Sequence, residues 1–358
     1  MVTQNKGEWS ELYVFLKLLG SGILYAADAD LNKIEELYYP LVKIIRKENE
    51  KIKHYTKNDL NINIIDEAGN NILTLLATEF ETKAELLLNA IKDSDSTFSV
   101  PAIEDFMKII KCSKVKADSM DKSDITLVLH DCKTYRNETF GFSIKSRLGN
   151  PSTLLNPGKP TNFIYEISGN LSQEEIVEIN QIDTRAKLRD RLTAIKNKNC
   201  KLVFAGLENE NFKANLQMVD SAFPLIISEY LFQYYSGNGS LISELTPKVR
   251  EINPCNLNIN LPHLYYEHKV KNFLTDIALG MTPATAWTGE YQATGGYIIV
   301  REDGEILCYH LYNHNEFQEY LFKNTRFDTP SATRYDFGYI YEKNEKLYIK
   351  LNLQVRFV

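Results

Sequence analysis

Apolar residues recur at three- and four-residue steps through the first twenty positions. Trp9, Leu12 and Leu16 share one helical stripe, and Gly20 and Gly22 are expected to end this opening helix. The same periodicity predicts helices over NNILTLLATEFETKAELLLNAI and over VPAIEDFMKIIK, which has a proline near its start. Between the first two helices, LYYPLVKIIRKENEK and NINIID predict strands, with Pro40 expected at an edge or a strand start.

The middle of the chain changes to a strand pattern. DITLVLHD, TFGFSIKS and NFIYEIS are rich in β-branched and aromatic residues, which predicts three strands. Helices are predicted next over SQEEIVEIN and TRAKLRDRLTAIKNKN, the latter with Arg191 on a basic solvated face, and around NLQMVDSAFPLIISEYLFQYYSG and HLYYEHKVKNFLTDIALG. A hairpin turning at Asp303-Gly304, a short helix over NEFQEYLFKNT and a second hairpin over FGYIYEKNEKLYIKLNLQVRF complete the prediction.

This order of elements indicates a mixed α/β protein with a soft domain boundary. No internal repeat and no Pro/Gly/Ser-rich linker divides the 358 residues, and we place the boundary between residues 1–205 and 206–358. The composition, with 44% hydrophobic and 25% charged residues, is that of a soluble globular protein. The net charge of -6 argues against a uniformly basic protein but allows a local basic cleft that binds phosphate.

The cysteines and the lack of long apolar runs indicate a compartment. The five cysteines are scattered without a C-x-x-C pair, which favours reduced thiols over a disulfide framework or a zinc site. The polar N-terminus lacks the apolar core of a signal peptide, and no run approaches membrane-spanning length. We therefore expect a cytoplasmic protein with no membrane contact.

The strand TFGFSIKS carries the candidate chemistry. Because side chains alternate along a strand, Ser143 and Lys145 share one face and Ile144 points away. A hairpin would bring Asp124, at the start of the preceding strand, beside them. An acid, a second metal-facing group and a lysine at this spacing are how a Mg²⁺-dependent nuclease is assembled, with Asp124 on the metal and Lys145 on the attacking water. Taken alone, the pattern is more often a turn aspartate and an edge-strand lysine.

Longer segments carry a resemblance. NKGEWSELYVFLKLL, YAADADLNKIEELYYPLVKIIR, SDITLVL, GFSIKSRLGNPSTLLNPGKPTNFIYEI, NTRFDTPSATRYDFGYIY and KLYIKLNLQVRF together resemble the HpaII family of type II restriction endonucleases over most of the chain. The resemblance implies a PD-(D/E)XK restriction-endonuclease-like mixed sheet core flanked by helices in residues 1–205, with DNA recognition in the helical and β-rich residues 206–358. It also implies Mg²⁺, double-stranded DNA with a CCGG-type palindrome, 5′-phosphate and 3′-hydroxyl ends, and a cognate DNA methyltransferase that makes no direct contact.

The chain departs from the general nuclease motif at Ser143, where that motif has an acid. A hydroxyl binds Mg²⁺ less strongly than a carboxylate, so the missing charge is expected from elsewhere. Glu8 and Glu11 lie on one face of the opening helix and are the first candidates, and Glu166 on a later strand is the second. The backbone carbonyl of Ile144 is a further candidate ligand. First-turn acids favoured by the helix dipole are the alternative explanation of the two helical glutamates.

Arginines near the C-terminus are the candidates for base recognition. Arg326 and Arg334 lie on the polar segment KNTRFDTPSATRYDFG, and arginine binds guanine bidentately in the major groove. Asp328 and Asp336 are expected to hold their guanidinium groups or to accept a hydrogen bond from cytosine, and two structural salt bridges are the alternative. Phosphate or groove contacts are expected just downstream of the catalytic strand, from Ser146, Arg147, Lys159 and Asn162.

Three hypotheses follow, in this order of preference. The first is a sequence-specific endonuclease that binds its palindromic site as a homodimer, since a palindrome matches a two-fold protein. The second is a catalytically inactive DNA-binding protein of the same fold, suggested by the serine at position 143. The third is a small-molecule enzyme with an unrelated site, which would not bind duplex DNA.

Overall fold

The computed structural model of the protein describes residues 2–117, 123–132 and 134–358, which form a mixed α/β structure. Their contacts divide the chain into two units, Met1–Ser152 with Tyr291–Tyr320, and Thr153–Glu290 with Leu321–Val358. This division differs from the predicted boundary at residue 205, which falls inside a strand of the second unit. The difference arises because two strands after residue 291 extend the sheet of the first unit.

The helices and strands follow one another along the chain in four stretches. The first contains α1 Lys6–Ser21, β1 Ile23–Ala27, β2 Lys33–Glu48, β3 Lys51–Asn58, β4 Asn61–Asp66, β5 Asn71–Leu76, α2 Ala77–Asp93, α3 Pro101–Ile109, β6 Ile125–Asp131 and β7 Arg136–Ser146. The second contains β8 Thr153–Leu155, β9 Asn162–Ser168, α4 Gln173–Asn180, α5 Lys187–Asn197, β10 Lys201–Leu207, α6 Glu210–Val219, α7 Phe223–Tyr235, α8 Ile242–Ile252 and α9 Tyr265–Leu279. The third contains β11 Gly296–Val300, β12 Ile306–His310 and α10 His314–Lys323. The last contains β13 Thr325–Phe327, α11 Ala332–Tyr335, β14 Ile340–Lys343, β15 Lys346–Asn352 and β16 Val355–Phe357.

The main sheet of the first unit closes on itself. Its strand order is β1-β12-β11-β7-β6-β2-β3-β4-β5, and β1 also pairs with β2. Two neighbouring pairs are parallel, β7 with β11 and β1 with β12, and the other pairs are antiparallel. Pro40, predicted at an edge or a strand start, lies within the long strand β2, where pairing with β1 ends and pairing with β6 begins. Its missing N–H therefore falls where one ladder gives way to another.

Helix α1 packs on this sheet as the periodicity predicted. Trp9 and Leu12 are fully buried in the core of the first unit. A capping box formed by Asn5 and Glu8 begins the helix, and Gly22 ends it with a φ of 74° in the left-handed region. These signals all lie within four residues of the helix, which is why the sequence predicted it.

The segment NNILTLLATEFETKAELLLNAI is not one helix, so that prediction was wrong. Its first residues form β5, which pairs antiparallel with β4, and the helix α2 starts only at Ala77. The prediction also did not include the strands β1, β3, β8, β10 and β13 or the helices α8 and α11. In each case the pairing partner or packing surface comes from another element, which a local pattern does not show.

The second unit contains two small antiparallel sheets with helices around them. The sheets have the strand orders β10-β9-β15-β14 and β13-β16-β8. Arg191 on α5, predicted on a solvated face, is instead buried and donates to the carbonyl groups of Gly338, Asn180 and Ile182. These hydrogen bonds connect α5 to the end of α4 and to the loops that contain Ile182 and Gly338. Within the described residues, no helix combines the length and the apolar character needed to cross a membrane.

Candidate active site

The β6–β7 hairpin brings Asp124 against the polar residues of β7. Ile125 pairs with Phe142, and the Asp124 N–H donates to the Phe142 carbonyl over 2.8 Å. Oδ2 of Asp124 accepts from the N–H of Ile144 at 2.8 Å and from the hydroxyl of Ser143 at 3.1 Å. One backbone hydrogen bond therefore fixes the main chain of Asp124, and two hydrogen bonds to Oδ2 fix its carboxylate and leave Oδ1 for other partners. The juxtaposition expected for Asp124 and Ser143 is present.

Lys145 lies two residues further along β7. Its side chain is partly buried, and Nζ lies 5.4 Å from the ring centroid of Tyr297 on β11. Burial lowers the pKa of Lys145, while the carboxylates of Asp124 and Glu11 act in the opposite direction. A lysine held this way is easier to deprotonate than an exposed one, and it remains a strong hydrogen-bond donor.

Helix α1 supplies a second carboxylate, from Glu11. Nζ of Lys116 lies 3.0 Å from Oε1 of Glu11 and 3.2 Å from Oδ1 of Asp124, so one ammonium joins both acids. Burial, followed by the charge of Asp124, raises the pKa of Glu11 to about 7, although Lys116 and Lys145 act in the opposite direction. Burial alone would lower the pKa of Lys116, but the two carboxylates raise it. The group is thus two acids and two lysines in close electrostatic contact.

A cleft lined by Glu11 and Lys145 opens within the first unit. Its volume is about 770 Å³. The hydroxyls of Ser10 on α1 and Ser146 on β7 lie 2.8 Å apart and join the two elements that form its floor. The cleft is lined by both polar and apolar groups, among them Lys6, Glu11, Ile144, Lys145, Ser146, Gly149 and Asn150.

The donor set suits a hard divalent cation. Asp124 and Glu11 offer carboxylate oxygens, the ligands that Mg²⁺ prefers, and Oε2 of Glu11 is buried without a hydrogen-bond partner among the described residues. A buried carboxylate oxygen left alone is costly, and a cation would satisfy it. The described part of the chain contains no group of three or more His, Cys, Asp or Glu suited to holding a metal ion. Two carboxylates completed by water fit Mg²⁺, which keeps several waters, better than zinc.

The other two candidate glutamates are occupied elsewhere. The carboxylate of Glu8 accepts from the N–H of Asn5 at 3.0 Å and so caps α1. Glu166 lies on β9 of the second unit, and both of its oxygens are 3.0 Å from Nζ of Lys346. Of the three glutamates proposed from the sequence, the structure brings Glu11 to Asp124. The alternative explanation, a first-turn acid that serves the helix, applies to Glu8.

The residues proposed downstream of the catalytic strand have different surroundings. Ser146 lines the cleft, and exposed Arg147 lies over the ring of Tyr320, with 5.8 Å between its guanidinium carbon and the ring centroid. Lys159 is exposed on the second unit. Asn162 is fully buried, and its amide donates to Glu208 and accepts from Asn352 among others, so in this conformation it serves the fold and cannot touch DNA.

The two arginines proposed for base recognition lie on the second unit. Arg326 lies in strand β13, not on a loop, and is partly buried, whereas Arg334 is exposed on the short helix α11. The expected aspartate partners bind other cations: Asp328 lies 3.1 Å from Arg356, and Asp336 lies 3.2 Å from Lys350. The salt bridges proposed as the structural alternative for these arginines therefore involve different residues.

Sequence reasoning did not find Lys116. It lies eight residues before Asp124 in the lysine-rich stretch KCSKVKADSMDK, between α3 and β6, where no periodicity or spacing singles out one lysine. Only the position of Lys116 next to Glu11 of α1 and to Asp124 brings its ammonium to the two acids.

Two comparisons with known proteins cover nearly the whole chain. The family model of the HpaII restriction endonuclease matches residues 5–357. The type II restriction enzyme HpaII of Haemophilus parainfluenzae is 44% identical over 356 residues, which cover 99% of this chain and 98% of that enzyme. No solved structure gives a significant match. A family model and a full-length relative that both cover nearly every residue leave one conclusion: the chain belongs to the HpaII restriction endonuclease family.

Proposed function

We propose that the protein is a Mg²⁺-dependent type II restriction endonuclease that cleaves double-stranded DNA at CCGG and leaves 5′-phosphate and 3′-hydroxyl ends. Membership of the family supports site-specific DNA cleavage. The observation that carries the catalytic part is the close grouping of Asp124, Glu11 and Lys145: one ammonium bridges the two carboxylates, and Glu11 and Lys145 line the same cleft. The PD-(D/E)XK fold for this core is part of the same proposal.

In this proposal Asp124 and Glu11 hold the metal ion, with the carbonyl of Ile144 as a further ligand. Once bound, Mg²⁺ would offset charge on the scissile phosphate and acidify a water. Lys145 orients the attacking water and stabilises the negative charge that develops on the phosphate. Ser143, which stands where related nucleases carry an acid, keeps the Asp124 carboxylate in position through its hydroxyl. Glu11 supplies the charge that Ser143 lacks.

DNA contacts are proposed for both units. Ser146 and Arg147 would contact the backbone next to the cleft, and exposed Lys159 would add a phosphate contact. Arg326 and Arg334 would read guanine, with residues 206–358 as the recognition region. We propose two copies of the chain on one palindromic duplex. In the cell we expect a cytoplasmic protein beside a cognate methyltransferase that it does not contact.

Digestion of a sequenced plasmid with end mapping tests the proposal. The wild type with Mg²⁺ should cut at CCGG, and Lys145→Ala should lose at least about 1,000-fold in rate because it removes the charge that meets the transition state. Lys108→Ala is the matched control, since this lysine is 76% exposed and pairs with Asp105. Full activity in Lys145→Ala would remove this lysine from the mechanism, and cleavage at another sequence would reject CCGG.

A catalytically inactive DNA-binding protein remains the second candidate, because Ser143 replaces an expected acid. Such a protein would shift duplex DNA in a gel at low salt, would lose binding steeply as salt rises, and would give no fragments with Mg²⁺ or Mn²⁺. The same plasmid digestion, run beside a gel shift, separates the two functions.

A further inference from the structure

Lys116 has no role in the proposed chemistry, yet it contacts both proposed metal ligands. Its Nζ lies within hydrogen-bond distance of Glu11 and Asp124 at once, on the Oδ1 side of the aspartate. The opposite oxygen, Oδ2, is already engaged by Ser143 and Ile144. Lys116 therefore sits between the remaining oxygen of Asp124 and Oε1 of Glu11, whose other oxygen, Oε2, has no hydrogen-bond partner among the described residues.

An ammonium group and a divalent cation compete for such a position. Both are small and positively charged, and both are stabilised by the same carboxylate oxygens. They cannot share the space between two acids, because like charges a few ångströms apart repel strongly where water is partly excluded. Metal entry between Glu11 and Asp124 thus requires the ammonium to leave.

The structure allows this movement for one lysine and not for the other. The side chain of Lys116 is 46% exposed, and its backbone lies outside the helices and strands, between α3 and β6. Lys145, in contrast, belongs to β7, which lies between β6 and β11 in the sheet, and its backbone is in register with Ile299 of β11. A change of rotamers is enough to carry the Lys116 ammonium into solvent.

We propose that Lys116 occupies the metal position when no metal is bound and must be displaced for a divalent cation to bind. The inference rests on the proposed function, because it takes Glu11 and Asp124 as the ligands. In the metal-free protein Lys116 balances two acids that would otherwise repel each other. The consequence is a weaker affinity for metal than the two carboxylates alone would give.

Calorimetric titration of the full chain with Mn²⁺, without DNA, tests this. Lys116→Met and Lys116→Gln should bind Mn²⁺ at least about tenfold more tightly than the wild type, because a competing unit charge is removed from the site. Lys116→Arg keeps the charge and should bind like the wild type. Lys108→Met is the matched control, since it removes an exposed, aspartate-paired lysine away from the cleft.

Equal or weaker Mn²⁺ binding in both neutral variants, whose folding is checked by circular dichroism, overturns the inference. Two neutral side chains of different polarity are used so that a folding defect in one does not decide the result. Plasmid cleavage by the wild type is run in parallel. If the wild type cuts and the neutral variants show no gain in affinity, only the role of Lys116 fails, whereas no cleavage at all counts against the proposed function itself.

Discussion

Glu8 and Glu11 lie one helical turn apart on α1, but their carboxylates have different tasks. Glu8 bonds to the backbone of Asn5 at the helix start. Glu11 is 14% exposed, faces Asp124 and Lys116, and has a pKa raised to about 7, mainly by burial. Glu8 therefore caps the helix, whereas Glu11 lines the cleft.

Substitution of each glutamate by glutamine should separate these tasks. Glu11→Gln is expected to slow DNA cleavage at least about 100-fold, because a metal ligand supplies several kcal/mol of transition-state stabilisation. Glu8→Gln should leave cleavage within about threefold and lower the free energy of unfolding by no more than about 1 kcal/mol. Plasmid cleavage rates and urea denaturation measure the two effects. The reverse ranking of the cleavage rates would contradict the assignment of Glu11.

At the residue scale the sequence carried part of the site. The proximity of Asp124 to the polar residues Ser143 and Lys145 of β7 could be predicted, because strand alternation and a hairpin are local rules. Spacing could not separate Glu8 from Glu11, since residues three apart share a helix face. Lys116 could not be predicted, because its contacts with both acids depend on the tertiary position of that one lysine beside α1.

At the element scale, the position of β7 depends on its parallel neighbour β11. Gly296 begins β11, opposite Phe142 of β7, with a φ of 98°. A Cβ at this position would collide with the carbonyl oxygen of Tyr309 on β12, which is backbone and cannot swing aside. Glycine is thus required both by its conformation and by the close approach of the neighbouring strand.

Gly296→Ala is therefore expected to destabilise the protein by more than about 2 kcal/mol. Gly69→Ala is the control: its φ of 88° is also left-handed, but a Cβ there meets no atom within 4 Å, so about 1 kcal/mol is expected. Urea denaturation gives both free energies of unfolding. Equal losses in the two variants would show that the close contact with β12 does not matter.

Local patterns predicted the elements unevenly. Helix α1 and the hairpin of β11 and β12 have their caps and turn residues within their own sequence. β5 was assigned to a helix because apolar residues lie on both of its faces. Leu73 and Leu75 lie on the partly buried face, and Ile72 and Leu76 lie on the exposed face. Because polar and apolar residues do not alternate in this segment, its hydrophobic pattern does not distinguish a strand from a helix.

At the scale of the whole molecule, a buried histidine links stability to pH. His310 on β12 is fully buried, stacks on Tyr39 with ring centroids 5.1 Å apart, and meets the ring of Phe140 edge-on at 4.6 Å. Burial lowers the pKa of His310 from 6.5 to about 4. Between these pH values the unfolded chain binds a proton at His310 that the folded protein does not bind. The free energy of unfolding therefore falls as the pH drops from about 6.5 to about 4.

Over that pH range the wild type is expected to lose on the order of 3 kcal/mol of its free energy of unfolding relative to a His310→Phe variant. Glu11 acts in the opposite direction, because its raised pKa makes the folded state gain stability as the pH falls below about 7. The informative quantity is therefore the difference in the free energy of unfolding between the wild type and the variant. Urea denaturation at a series of pH values measures it, and His263→Gln, an exposed histidine, is the control. Parallel curves for wild type and His310→Phe would refute the assignment.

The division into two units could not be predicted from the sequence, because it depends on pairing between strands far apart in the chain. β11 pairs with β7 across about 150 residues of chain, which include the whole second stretch of elements. Pairing at that separation is decided by which strand edges remain free after folding, and no local signal records it. The mixed α/β class was correct because it depends only on the types of the elements.

The central claim is that Glu11 and Asp124 hold one divalent cation at the point where β7 presents Lys145. Anomalous diffraction from crystals of the protein grown with a CCGG duplex and Mn²⁺ tests it most directly. The account predicts a Mn²⁺ peak within about 2.5 Å of a carboxylate oxygen of each acid, with the Lys116 ammonium displaced. A peak held by other residues, or none between these two acids while DNA occupies the cleft, would contradict it.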